Sequence, residues 1–284
     1  MNPHPLSQPE APGSVRTRRR EAGFTMVEIA ICIAVVAFAL VAIIGVMPTG
    51  LQVQRQNRED TIITQEGKLW LEAIRSGSLG LNDLTNYVEE ISVNTRTNRV
   101  RDSGVWRAST YRLFDGFSGL VGFRNGRDII GLLSLPQYYQ WGATNARMEF
   151  ESLPSAAYVR AMTGSAAEKT IANEFALMYR LRTELVPFSA ITGMNTNLNE
   201  SGLSDADKQV RLNTLLRASA LMANLYELRL TVDWPVYRRQ NRFDVGGNRK
   251  VFRTLIGGSL AVTNVDYLDQ RHLFFLRPSQ FVLP

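Results

Sequence analysis

RRREAGFTMVEIAICIAVVAF, residues 18–38, sets three arginines ahead of a glycine and a phenylalanine, then opens an apolar run holding one acid, Glu28. From Ile29 to Met47 there are 19 residues without a charge. Counted from Phe24 the run is 24 residues, or roughly 36 Å of helix at about 1.5 Å per residue. A hydrocarbon core is about 30 Å thick, so this spacing predicts a membrane-spanning helix with a little tilt. The arginines precede it and mixed charge follows it, which puts the N-terminus in the cytoplasm and the rest of the chain across the membrane. A carboxylate at the head of such a helix is costly to bury, and intramembrane acids usually mark function.

The composition bounds the remainder. The 284 residues are 45% hydrophobic and 20% charged, as in an ordinary globular protein, with a formal net charge of +6. Cys32, in the apolar run, is the single cysteine, so no intramolecular disulfide forms. The two histidines, His4 and His272, are too few for a multi-histidine zinc centre. There is no G-x-S-x-G elbow, phosphate loop or paired set of acids, so neither an enzyme nor a bound cofactor or metal is expected. His272 reads as a surface or packing residue.

Common N-terminal signals fit poorly. A secretory signal has an apolar core of about 7–15 residues and a small-residue cleavage site; here the run is longer and GVMPTGLQ follows it. Cys32 is preceded by Ile31, which does not suit a lipoprotein signal. A plain anchor suits the length but leaves Gly23, Phe24 and Glu28 unexplained.

Gly23-Phe24-Thr25-Met26-Val27-Glu28, behind basic residues and ahead of an apolar helix, resembles the processing site of type IV pilins and the pseudopilins of type II secretion. The resemblance implies that a prepilin peptidase cuts after Gly23 and methylates the new N-terminus, Phe24, to N-methylphenylalanine. It also implies that Glu28, at the fifth mature position, is the assembly residue. Buried among apolar helices in a filament, Glu28 needs a cation, and cleavage creates one in the α-amino group of Phe24 on an adjacent subunit. The leader, residues 1–23, is Pro-rich at its start, longer than the leaders of many family members, and removed.

Pro48 cannot bond the carbonyl of Ile44, and Gly45 is weakly helical, so a kink is expected at Gly45 to Pro48. The helix then resumes as an amphipathic half over 49–77, with Ile62, Ile63, Leu69, Trp70, Ala73 and Ile74 on one face and Gly77 and Gly80 as its stop. Beyond it, 78–284 reads as a globular α+β domain. Alternation predicts strands at 178–186 and 225–234, the latter with Tyr226, Leu228, Leu230, Val232 and Trp234 inward. A strand at 249–256 follows the turn signal Gly246-Gly247-Asn248 and pairs with 225–234 as an antiparallel hairpin joined by the basic loop YRRQNRFDVGGN. Ser204-x-x-Asp207 starts a helix through about Ala220. In 87–153, RDIIGLLSLPQYYQW suggests a strand ending at Pro136, and SGVWRASTYRLFDGFSGLVGFRNG reads as a loop.

The fold class is therefore α+β and pilin-like: a long bent N-terminal helix, its first half (24–48) transmembrane, then an antiparallel β-sheet with inserted helices. The strands 225–234 and 249–256 and MPTGLQ also resemble the pilin-like Verru_Chthon cassette protein B group, which would place the chain in a Gram-negative envelope. The expected function is structural: a subunit of a type IV pilus or type II secretion pseudopilus, held in the inner membrane with its globular part periplasmic until assembly. Its partners would be the prepilin peptidase and other pilin or pseudopilin subunits. A globular part of over 200 residues exceeds that of most major pilins and points to a minor subunit. The alternative is a membrane-anchored periplasmic binding protein outside any filament. Arg238, Arg239, Arg242 and Arg249 cluster around the hairpin with Tyr237 and Phe243, a composition suited to nucleic-acid contact. A solvated hairpin tip is the commoner meaning of such a cluster, and no nucleic-acid partner is expected.

Overall fold

The computed structural model describes residues 23–77, 81–99, 104–113, 122–142, 147–163, 177–189, 194–195, 197–240, 242–264 and 272–282. Residues 1–22 of the leader and Gly80 lie outside them. The chain divides into two units, Met1–Arg55 and Gln56–Pro284.

In the first unit the described residues belong almost entirely to α1, a helix over Met26–Arg75 that continues into the second unit. It runs unbroken through Gly45 and Pro48. Among the described residues it is the one helix long and apolar enough to cross a membrane, with a mean hydropathy of 3.2 and none of that window buried in the protein. Ile33, Val36, Phe38, Val41 and Ile44 all lie bare, on every side of the helix. A helix that is apolar all round is built for lipid or for other helices.

In the second unit α1 becomes amphipathic. Ile62, Ile63, Trp70, Ala73 and Ile74 are buried, as their spacing predicts, whereas Leu69 is 38% exposed. The buried stripe turns instead through Glu66 and Gly67, where the absent Cβ lets the Phe252 ring lie against the helix backbone. Gly77 ends the helix at φ 68°, and any Cβ there would also press on the carbonyl of Leu276.

Among the described residues nine strands form one sheet. They are β1 (Val88–Arg99), β2 (Arg107–Leu113), β3 (Gly122–Phe123), β4 (Tyr138–Trp141), β5 (Met148–Ser152), β6 (Ser155–Arg160), β7 (Met178–Pro187), β8 (Leu225–Arg239) and β9 (Arg242–Gly257). The order is β3-β2-β1-β6-β7-β8-β9, with β5 on the far half of β1 and β4 on β5. All pairs are antiparallel except β2 with β3. A second, two-stranded sheet joins β10 (Ser259–Asn264) to β11 (His272–Arg277). Helices α2 (Gly126–Leu133) and α3 (Asp205–Asn224) are insertions. One sheet face, carrying Ile91, Val159, Tyr179, Leu181, Leu228 and Leu230, meets the α1 stripe, α2 and β11 in a single core.

The alternating segments appear as expected at β7 and β8, and α3 starts at Ser204, whose hydroxyl accepts from the amide of Asp207. Three expectations are corrected. RDIIGLLSLPQYYQW holds no strand before Pro136: Asn125 accepts from the Asp128 amide and caps α2, whose two turns of apolar residues are as short as a buried strand. RASTYRL, read as loop, is β2, with Tyr111 alone turned into the core; 114–121 of that stretch lie outside the described residues. The hairpin does not turn at Gly246-Gly247-Asn248. Both strands continue past it to a tip at Gln240, φ 47°. Gly246 and Gly247 absorb a register shift between Trp234 and Val236, where a Cβ on Gly246 would strike Pro235.

His272 packs edge-on to Trp141 and Phe150, with ring centroids 5.5 and 6.2 Å away. Burial pushes its pKa below the ordinary imidazole value. Unfolding returns the ring to water, where it binds a proton more readily. The stability His272 confers is therefore complete above about pH 6.5 and falls as pH drops through and below it. We expect the denaturation midpoint to fall between pH 7.5 and 5.5, and to fall less in His272→Phe. An equal fall in the variant would assign the dependence to other groups.

Candidate processing and assembly site

Gly23, Phe24 and Thr25 are non-helical and exposed, and Phe24 shows 83% of its surface. Among the described residues a Cβ on Gly23 would meet nothing within 4 Å, so their packing makes no demand for glycine there. The small residue and the exposed ring beside it suit recognition by another molecule.

Thr25 and Glu28 form a closed pair at the head of α1. The Thr25 amide donates to Glu28 Oε2 at 2.9 Å, the Thr25 hydroxyl donates to the same oxygen at 3.0 Å, and the Glu28 amide donates to Thr25 Oγ1 at 3.3 Å. This is a capping box, which satisfies two of the amides that a helix start leaves open. Its sequence sign, Thr-x-x-Glu ahead of an apolar run, is legible at 25–28, although the sequence reading above took Glu28 alone. A cut between Gly23 and Phe24 leaves every one of these bonds intact. Glu28 Oε1 has no partner among the described residues, so a second donor can reach the carboxylate while the cap is held.

Farther along α1 a second acid does different work. Glu66 is buried, and Oε1 accepts from the amides of Met162 and Thr163 at 2.6 and 2.9 Å and from the Thr163 hydroxyl at 3.1 Å. Oε2 accepts from the Tyr179 hydroxyl at 2.5 Å, which in turn accepts from Trp70 Nε1 at 2.7 Å. Burial and the neighbouring Glu66 push the Tyr179 pKa well up, which keeps the hydroxyl a donor. Lys250 Nζ adds a link to both Asp60 oxygens at 2.9 Å and to Thr64 Oγ1 at 2.8 Å. Together these bonds tie residues 60–70 of α1 to the segment just after β6, to β7 and to β9.

The four arginines around the hairpin are not brought together as one surface. Arg238 lies 3.4 Å from Glu89 and Arg239 3.3 Å from Asp244. Arg249, beyond the register shift, is 2.7 Å from Asp233. Arg242 is exposed beside the tip, opposite Arg239.

Residues 18–44 match the family model described as the prokaryotic N-terminal methylation motif. No curated protein and no solved structure matches the chain. The motif spans the glycine, phenylalanine and acid described above and identifies the chain as a prepilin peptidase substrate with a membrane-anchoring helix. With that motif at the head of a 50-residue helix, followed by an antiparallel-rich sheet with inserted helices, the chain is a type IV pilin- or pseudopilin-like protein.

Proposed function

We propose that this protein is a structural subunit, of the minor kind, of a type IV pilus or type II secretion pseudopilus. It is cut between Gly23 and Phe24, methylated on Phe24, and held in the inner membrane with its N-terminus cytoplasmic and residues 78–284 periplasmic. Assembly then draws it into the filament through α1, with Gly45 and Pro48 giving the helix a place to bend and Glu28 meeting the new α-amino group of a neighbour. The observation carrying this reading is Glu28 itself: a carboxylate with one oxygen committed to its own cap and one open, at the head of a membrane-length apolar stretch none of which is buried in the protein. The large globular part supports a minor rather than a major subunit.

Mass spectrometry of the protein purified from membranes tests the processing step. The expected mature N-terminus is N-methylated Phe24. A chain beginning at its start codon, or cut elsewhere, would remove this reading in favour of a plain anchor.

A further inference from the structure

The outward face of β7, β8 and β9 carries a charge cluster that neither the processing site nor the core uses. Register sets Arg180, Asp233 and Arg249 side by side in one cross-strand row, and Arg182, Thr231 and Val251 in the next. The Asp233 side chain is only 3% exposed, and three guanidiniums converge on it. Arg180 donates Nε and Nη2 to Oδ2 at 3.1 and 2.9 Å, Arg182 donates Nε to Oδ2 at 3.1 Å, and Arg249 donates Nε to Oδ1 at 2.7 Å.

Both oxygens of Asp233 are thereby engaged, but the arginines are not used up. A guanidinium offers five N–H donors, and Arg182 and Arg249 each spend one here. Among the described residues their terminal nitrogens meet no acceptor. The Arg182 and Arg249 side chains are 32% and 59% exposed, so those nitrogens are open to solvent. Burial pushes the Asp233 carboxyl up, but Arg249, Arg180 and Arg182 outweigh it and hold the group below its ordinary value. It stays ionised, so three arginines against one acid leave two positive charges in excess.

The neighbouring rows do not cancel that excess. Arg229 is taken by Glu227 at 2.7 Å, with Glu184 at 3.9 Å, and Arg253 faces it directly across the strands. Alternate residues on a strand are about 7 Å apart and neighbouring strands about 4.8 Å apart. Two rows over three strands therefore cover about 10 by 7 Å, room enough to seat one tetrahedral anion among the side chains. Tyr158, opposite Arg180, stacks on Phe243 at 4.2 Å and bounds the patch on its β6 side.

We infer that this face is a site for a doubly charged phosphate, free or as a monoester, held by the terminal nitrogens of Arg182 and Arg249 with Arg180 completing the charge. Asp233 is the positioning residue that gathers the guanidiniums, and Thr231 is the register partner of Arg182. Charge selects the ligand. A phosphate monoester carries about −1.5 to −2 at neutral pH, matching the excess, whereas a carboxylate or a phosphodiester carries one charge and leaves the cluster unbalanced. Guanidinium forks also suit the oxygens of phosphate better than an ammonium does.

The test uses the full-length protein in neutral detergent at fixed ionic strength, with inorganic phosphate as the probe. Binding is read by broadening of the phosphorus resonance and by the shift in unfolding temperature. Phosphate stabilises folded proteins generally by exclusion from their surfaces, so the deciding quantity is the difference between wild type and Arg182→Gln/Arg249→Gln. We expect saturable binding, weakened at least tenfold by Arg249→Gln and less by Arg249→Lys, and abolished in the double variant. Competition by glycerol 3-phosphate would assign an esterified source, and its failure to compete a free one. Unsaturable broadening, an equal response in the double variant, or equal competition by acetate or dimethyl phosphate would overturn the inference. If Arg182→Gln does not fold, the exposed Arg249→Gln decides alone.

Discussion

Replacing Glu66 by alanine is expected to lower the unfolding free energy of the globular part by about 3 kcal/mol, read from Trp fluorescence during denaturation of the full-length protein in mild detergent. The size follows from what the truncation leaves behind. The Tyr179 hydroxyl, fully buried, loses its acceptor, and the Met162 and Thr163 amides lose theirs in a half-buried place. An unsatisfied buried group costs about 1–3 kcal/mol, and bonds to a charged acceptor are the stronger kind. Water can enter the truncated site near Thr163, which is why the total stays below the sum of the separate bonds. Glu66→Gln keeps the side-chain volume and one acceptor oxygen for the two amides. Its NH2 then faces the Tyr179 oxygen, which already accepts from Trp70, so the tyrosine proton and at least one amide proton are left without an acceptor. About 1 kcal/mol is expected there. Tyr179→Phe strands Trp70 Nε1 instead, and the two changes combined should fall short of additivity, because each already breaks the same bond. A loss under about 1 kcal/mol for Glu66→Ala would show that apolar packing alone holds residues 56–75 of α1 on the sheet.

Glu66 also shows how far the residues could be read in advance. α1 was legible because two signals with different physical origins agree, unbroken hydropathy over its first half and a 3.6-residue stripe over its second. The stripe, read as hydrophobic, nonetheless placed Leu69 inside. The buried face takes Glu66 and Gly67 instead, since a carboxylate four residues before Trp70 can meet donors from the segment after β6 and from β7 that sequence distance hides. β7 and β8 were legible through strict alternation. β1 was not, because the bulge between Val88 and Glu90 spaces the buried Val88 and Ile91 by three residues and erases the period of two. α2 was not, because an apolar run of about two turns fits a short buried strand as well as a helix. Asp233 sits on the polar phase of β8 and reads as solvated, and it is buried only because arginines from β7 and β9 close over it. At the N-terminus the spacing of Gly23, Phe24 and Glu28 carried the candidate site, since that motif is local and needs no tertiary contact. The cap partner, Thr25, was equally local.

That cap sharpens what Glu28 is expected to do. Glutamine serves in a capping box as well as glutamate does, so Glu28→Gln keeps the bond from the Thr25 amide and the start of α1 while removing the charge. We expect Glu28→Gln to be cut at Gly23–Phe24 and retained in the membrane like wild type, with its recovery in sheared or affinity-isolated filaments reduced at least tenfold relative to total protein. Thr25→Val makes the complementary change. It strips the hydroxyl from the cap but leaves the carboxylate with its open Oε1, and near-normal incorporation is expected. The opposite pattern, with Gln incorporated and Val excluded, would mean that Glu28 matters for starting the helix and not for meeting a neighbour. Normal incorporation of both would remove Glu28 from assembly altogether. The expected pattern rests on burial: solvated at the membrane surface, an acid needs only its own Thr25, but among packed apolar helices a lone carboxylate is sustained by a cation. On the proposed cut, the amine released at Phe24 would be the cation that processing itself supplies at the end of every neighbouring helix.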